Sequence, residues 1–206
     1  MEGGAPPSNG PATQGRPQVE GEMFDHTTFP TLTTERLRLR EVRAPDAADV
    51  LAFRGDPIVQ RFDDSPIHTL EEATAFIGEV REELRAGEGI VWAVALVDEE
   101  TVVGLVGFHE WDRYHRRAEV GYGLARIYWG RGIASEALRA ILRFGFDEME
   151  LNRVFARTIA DNHESVRLLE RLGFQREGTQ RAHSLEDDGM FHDSAVYGLL
   201  AAEFVA

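Results

Sequence analysis

The 206-residue chain contains no cysteine and no lysine. Without thiols it has neither disulfides nor thiolate metal sites, which fits a reducing, cytoplasmic location. All 22 basic residues are arginine, so the Gly-Lys-Ser/Thr of a nucleoside-triphosphatase loop is excluded. No apolar run approaches the roughly 18 residues of a membrane span, and no membrane association is expected. The N-terminus lacks the basic-then-apolar layout of a secretory signal. A formal charge of −14 excludes a general nucleic-acid binder, which needs basic surface to displace counterions from phosphates. The same charge suits a cationic acceptor such as an amine. His109, His115, His183 and His192 follow no metal-ligand spacing, so no metal is expected.

The proline and glycine are unevenly placed. Residues 1–30 hold five of the eight prolines and five glycines, with few large apolar side chains. Such a segment buries too little surface to offset its ordering entropy. It is expected to be a disordered tail ahead of one domain over 31–206. The length suits a single core.

Structure is expected to begin at Leu37–Val42, where apolar and polar residues alternate. Pro45-Asp46 opens a helix through Phe53, and Asp56-Pro57 breaks it. Thr69 and Glu72 form a capping box for a second helix to about Arg85, closed by Gly87 and Gly89. Ile90–Val97 and Val102–Phe108 read as a hairpin, followed by a polar loop over 109–117. A strand over Ala118–Leu124 precedes a glycine turn and a helix carrying Leu138, Ile141, Leu142, Phe146 and Met149. Further strands are expected at Val154–Ile159, Phe174–Thr179 and Ser194–Leu200, with a helix over Ser165–Leu172 stopped by Gly173. The class is α/β: a mixed sheet with helices on both faces and no internal repeat.

The turn Tyr128-Trp-Gly-Arg-Gly-Ile-Ala-Ser-Glu-Ala137 organises the chain. Two glycines permit backbone angles that other residues avoid. Several N–H groups can then point at one spot, where the first helical turn leaves its own donors unpaired and the helix dipole is positive. A phosphate or diphosphate fits there. The dinucleotide fingerprint is excluded, because Gly130-x-Gly132 is followed by Ser135 rather than a third glycine.

This order, with Glu119-Val-Gly-Tyr-Gly-Leu124, the glycine turn, Asn162-His-Glu-Ser-Val166 and Leu172-Gly173-Phe174, resembles the GNAT superfamily of acyl-CoA-dependent N-acyltransferases over roughly residues 32–203. Within it the motifs look most like the branch containing RimJ and RimL, which acetylate the N-terminal amine of ribosomal proteins. The resemblance implies a mostly antiparallel sheet with splayed central strands. It also implies acetyl-CoA as co-substrate, an amine-bearing small molecule or peptide N-terminus as acceptor, and allows a homodimer. Backbone groups of Gly130, Arg131, Gly132, Ile133, Ala134 and Ser135 would hold the diphosphate. Leu124 and Asn162 would meet the pantetheine arm.

Glu119 is the candidate general base, acting through a water, on a strand face shared with Gly121 and Gly123, whose missing side chains leave room for a thioester. Its structural alternative is an ion pair with Arg116 or Arg117. The tyrosine that many relatives carry seven residues past the Asn is Leu169 here, which donates no proton. Ser165 is the remaining candidate acid, or else a helix-capping residue. Phe62, Trp92 and Trp111, with the acidic residues Asp63, Asp64, Asp187 and Asp188, are expected to line the acceptor pocket. A non-catalytic acyl-CoA-binding module and transfer of another acyl group, such as succinyl, are the alternatives.

Overall fold

A computed structural model describes residues 28–61, 66–185 and 189–205. Eight strands form one sheet in the order β1-β2-β3-β4-β5-β6-β8-β7. They are β1 (Leu32–Thr33), β2 (Leu37–Glu41), β3 (Ile90–Leu96), β4 (Val102–Asp112), β5 (Arg117–Leu124), β6 (Arg153–Ile159), β7 (Gln175–Leu185) and β8 (Phe191–Leu200). Every neighbouring pair is antiparallel except β5 and β6. The helices are α1 (Ala47–Arg54), α2 (Pro57–Gln60), α3 (Leu70–Ala86), α4 (Ile133–Asp147) and α5 (His163–Arg171).

Strand alternation divides the core between the two faces. Leu37, Leu39, Val106, Phe108, Val120 and Leu124 face α4 and α5 and join Leu138, Ile141, Leu142, Leu168 and Leu169. On the other face Val91, Ala93 and Leu105 meet Val50 and Phe53 of α1 and Ile77 and Val80 of α3. The local signals that start α3 behave as its sequence indicates. Thr69 accepts from Glu72 N–H at 3.1 Å, and Glu72 accepts from Thr69 N–H at 3.2 Å; Gly87 ends the helix at φ 70°.

Several boundaries differ from the sequence expectations. Order begins before Leu37: β1 pairs with β2, and Phe29 lies edge-on to Trp92 at 5.8 Å. The expected helix from Pro45 is a 3-10 turn over Ala44–Asp46 that leads into α1. Its Asp46 is buried against Arg40 through bonds of 2.8 and 2.9 Å. The segment 109–112, read as loop, continues β4 through a shift of register between His109 and Asp112. Both β7 and β8 extend well beyond the expected runs. The expected tail lies outside the described residues up to position 27, as does Phe62 with Asp63, Asp64, Asp187 and Asp188. Among the described residues no helix is long and apolar enough to cross a membrane.

Candidate active site

The sheet opens where its one parallel pair comes apart. Arg117, Ala118 and Glu119 pair with Arg153, Val154 and Phe155, and the ladder stops there. Beyond it, residues 120–124 of β5 stay paired with β4 on one side only, while β6 remains paired with β8. Strand β5 therefore borders a wedge with a row of main-chain groups that no strand takes up on that side.

At the end of β5 the chain enters the glycine turn. Gly130 and Gly132 adopt φ of 71° and 77°, the left-handed region that favours glycine. Gly132 is the residue before α4, and no side chain caps that helix terminus. Glu136 N–H returns to Gly132 O at 3.0 Å, so the N–H groups of Ile133, Ala134 and Ser135 precede the first intrahelical bond. These are the unsatisfied donors an anion requires, with the helix dipole behind them. Arg131 is exposed and its guanidinium lies 5.7 Å from the Tyr128 ring centroid.

A staple absent from the sequence reading holds this turn in place. Glu136 accepts from Thr34 Oγ1 at 2.6 Å, Arg36 N–H at 3.0 Å and Arg36 Nε at 2.6 Å, while Arg36 Nη1 donates to Arg131 O at 2.9 Å. Partial burial pushes the Glu136 carboxyl upward, but the bonds from Thr34 and Arg36 outweigh it and hold the group below its ordinary value.

On the α4 and α5 side of the wedge, Asn162 follows β6 and caps α5, its Oδ1 accepting Ser165 N–H at 3.1 Å. Ser165 therefore sits in the first turn without itself being the cap. Its hydroxyl lies 2.7 Å from the Tyr122 hydroxyl, a pairing of β5 with α5 that the sequence reading missed. Burial pushes the Tyr122 phenol up to about 12, partly offset by that hydrogen bond. Tyr122 thus remains a proton donor across the physiological range. Leu169 is fully buried in the core. The Leu124 carbonyl accepts the Trp129 indole N–H at 2.8 Å.

The opposite face carries charge. Glu119 pairs with neither Arg116 nor Arg117: Arg116 binds Glu150, and Arg117 approaches Asp112 at 3.6 Å. Its partner is Arg157 of β6, which donates from Nε at 2.9 Å, from its main-chain N–H at 3.2 Å and from Nη2. The same Nη2 reaches Glu110. Hydrogen bonding to Glu119, then the attraction of both carboxylates, raises the Arg157 guanidinium above its ordinary value despite partial burial. His109 of β4 stands directly across from Glu119, with Nδ1 2.9 and 3.2 Å from the two oxygens of Glu83 on α3.

Two aromatic assignments are corrected. Trp92 is fully buried, its indole N–H donates to Pro30 O at 2.8 Å, and it packs edge-on to Phe108 and Phe144 on the α4 side. Alternation along β3 puts it in the core, where it lines no acceptor pocket. Trp111 is also core, 6% exposed, with Arg113 stacked 4.3 Å over its ring. The space over Gly121 is likewise filled: a Cβ there would stand 3.1 Å from His109 Cδ2 and 3.2 Å from Nε2.

Known proteins are similar to this chain in sequence and fold. Residues 36–175 match the family model described as an acetyltransferase (GNAT) domain. The Bacillus subtilis protein named "Uncharacterized N-acetyltransferase YoaA" is 33% identical over 173 residues, covering 84% of this chain and 97% of its own. The [ribosomal protein uS5]-alanine N-acetyltransferase of Escherichia coli is 28% identical over 131 residues, 63% of this chain and 67% of that protein. A crystal structure of a GNAT-family acetyltransferase from Bacillus anthracis superposes with a TM-score of 0.75 at 28% identity, over 84% of this chain and all of that one. With its wedge between β5 and β6 and its uncapped glycine turn, this chain belongs to the GNAT acetyltransferases.

Proposed function

We propose that the protein moves an acetyl group from acetyl-CoA to the primary amine of a small molecule or a peptide N-terminus. The observation that carries this reading is the parting of β5 from β6 beside the uncapped start of α4. The two features supply, side by side, an open strand edge and a cluster of anion-seeking N–H groups.

The main-chain groups of Gly130 to Ser135 hold the coenzyme diphosphate. Those of β5 up to Leu124 take the pantetheine arm by strand-like pairing, with Asn162 on the far side of the wedge. Acetyl-CoA contributes an activated thioester. The acceptor nitrogen attacks as a free amine, because an ammonium has no lone pair. Glu119, anchored by Arg157, works through a water that carries the proton away. A main-chain N–H of residues 122–124 faces the oxygen that gains charge. Ser165, backed by the Tyr122 hydroxyl, returns a proton to the departing thiolate. That step uses a hydroxyl pair where Leu169 offers none.

Thiol release from acetyl-CoA, measured over a panel of amines and N-terminal peptides and repeated with succinyl-CoA, tests the reading. Amine-dependent release with acetyl-CoA is expected. Tight binding of acetyl-CoA with no release for any acceptor would make the protein a binding module instead. Faster release with succinyl-CoA would change the acyl group.

A further inference from the structure

We propose that His109, oriented by Glu83, is the terminal base that receives the acceptor's proton. The inference rests on the acetyltransferase reading and adds a catalytic residue to it.

Both oxygens of Glu119 are already engaged. Three N–H donors of Arg157 converge on its two oxygens. A carboxyl group that retained a proton would have to give up part of this charge-assisted pairing. The proton therefore needs an onward acceptor, and the group directly opposite Glu119 in the β4–β5 ladder is His109. Side chains so opposed stand on one face of the sheet with Cβ atoms ~4.5–5.5 Å apart.

The imidazole is set up for this role. A carboxylate only accepts hydrogen bonds, so the Nδ1 contact with Glu83 at 2.9 Å places the ring hydrogen on Nδ1. Nε2 then carries the free lone pair. Nε2 is also the ring nitrogen that lies over Gly121, on the strand that borders the wedge. Two glycines make room for the pair. A Cβ on Gly121 would press on the imidazole at 3.1 Å, and one on Gly89 would collide with the Glu83 carboxylate, 2.6 Å from its Cδ. The His109 side chain is 39% exposed and that of Glu83 23%, so a proton taken up by the ring can pass on to solvent.

The step balances. As the acceptor nitrogen forms its bond to the acyl carbon, an N–H proton passes through water to Nε2. The carbon–sulfur bond breaks, and the thiolate takes a proton from Ser165, which regains one from water. The charged groups facing His109 are Glu83 from α3 and Glu119 from β5, with Arg157 of β6 behind Glu119 and joined to Glu110 of β4.

The test is the pH profile of kcat/KM for wild type, His109→Gln, Glu83→Gln and Glu119→Gln, with acetyl-CoA affinity and thermal melts recorded for each. His109→Gln is expected to lower the rate about a hundredfold and to remove the enzyme's own acid limb, leaving the one set by protonation of the acceptor amine. Glu83→Gln should slow the reaction without abolishing it, because the ring tautomer is no longer held, while coenzyme affinity holds. Glu119→Gln should slow the reaction and keep the limb. An active wild type whose rate and whole pH profile are unchanged in His109→Gln overturns the inference and leaves the transferase reading intact. A wild type that binds acetyl-CoA and acetylates no amine overturns both.

Discussion

The two faces of β5 are built from different materials. On the α4 and α5 side the wedge is bounded by main-chain N–H groups, the αL turn at Gly130 and Gly132, and two uncharged hydroxyls. On the α1 and α3 side it is bounded by ionisable side chains brought from four elements: Glu83, His109, Glu119 and Arg157. On the proposed reading the glycine turn holds the coenzyme diphosphate, an anion of fixed charge that a fixed backbone suits. The acceptor amine and its proton need groups whose charge can change, and only side chains supply those.

The largest effect should come from the charged face. Glu119→Gln is expected to lower kcat by a hundred- to a thousandfold, ~3–4 kcal/mol in the barrier, while acetyl-CoA affinity measured by calorimetry stays within about twofold. A loss of affinity instead would erase the division of labour between the faces.

Next is the half-buried hydroxyl pair of Tyr122 and Ser165. Tyr122 titrates near 12 in the folded protein against an ordinary value of 10.0. A raised pKa means the stabilisation is complete below pH 10 and is lost as pH rises toward 12. Over that window the unfolding free energy should fall by roughly 2–3 kcal/mol, two pH units at 1.36 kcal/mol each. Tyr122→Phe should flatten that part of the denaturant-versus-pH curve; an unchanged slope would show that the phenol is not the group responsible.

A smaller effect is expected on the coenzyme face. Gly132→Ala meets only Arg36 Nη2, at 3.4 Å, so its penalty is the φ of 77° rather than crowding. Backbone strain of ~1–2 kcal/mol should appear as coenzyme affinity about tenfold weaker with kcat little changed. Full affinity in this variant would mean the turn does not grip the diphosphate.

The smallest concerns the staple. Glu136→Gln should destabilise the protein by under about 1 kcal/mol near neutrality. Because the folded carboxyl lies below its ordinary 4.5, the ionised group's contribution is present above that value and is lost as pH falls beneath it. The gap between wild type and variant in thermal melts should therefore narrow below about pH 4.5.

The same contrast explains what could be read from the sequence. The glycine turn, the Thr69 capping box and the start of α4 are local, and neighbouring residues determine them. The sheet's alternation was legible wherever apolar residues marked it. The charged face was not, because its contacts are distant in sequence. Glu83 and His109 are 26 residues apart, and Glu119 and Arg157 are 38. His109 sits on a polar stretch that reads as loop, yet it belongs to β4, since pairing with Glu119 fixes its conformation. The clue that was present is Gly121, a glycine in mid-strand that marks a close approach. Trp92 misled because an aromatic on a strand suits a pocket or a core equally; only the packing of α4 and Phe29 decides.

The proposed function depends on main-chain amides at the start of α4 and along the open edge of β5 holding the coenzyme. Titrating CoA into 15N-labelled protein and following amide chemical shifts tests it most directly. The largest changes should fall on Gly130 to Ser135 and on Val120 to Leu124, with smaller ones at Glu83 and His109. Saturable binding that leaves those two stretches unmoved, or no binding at millimolar CoA, would contradict it.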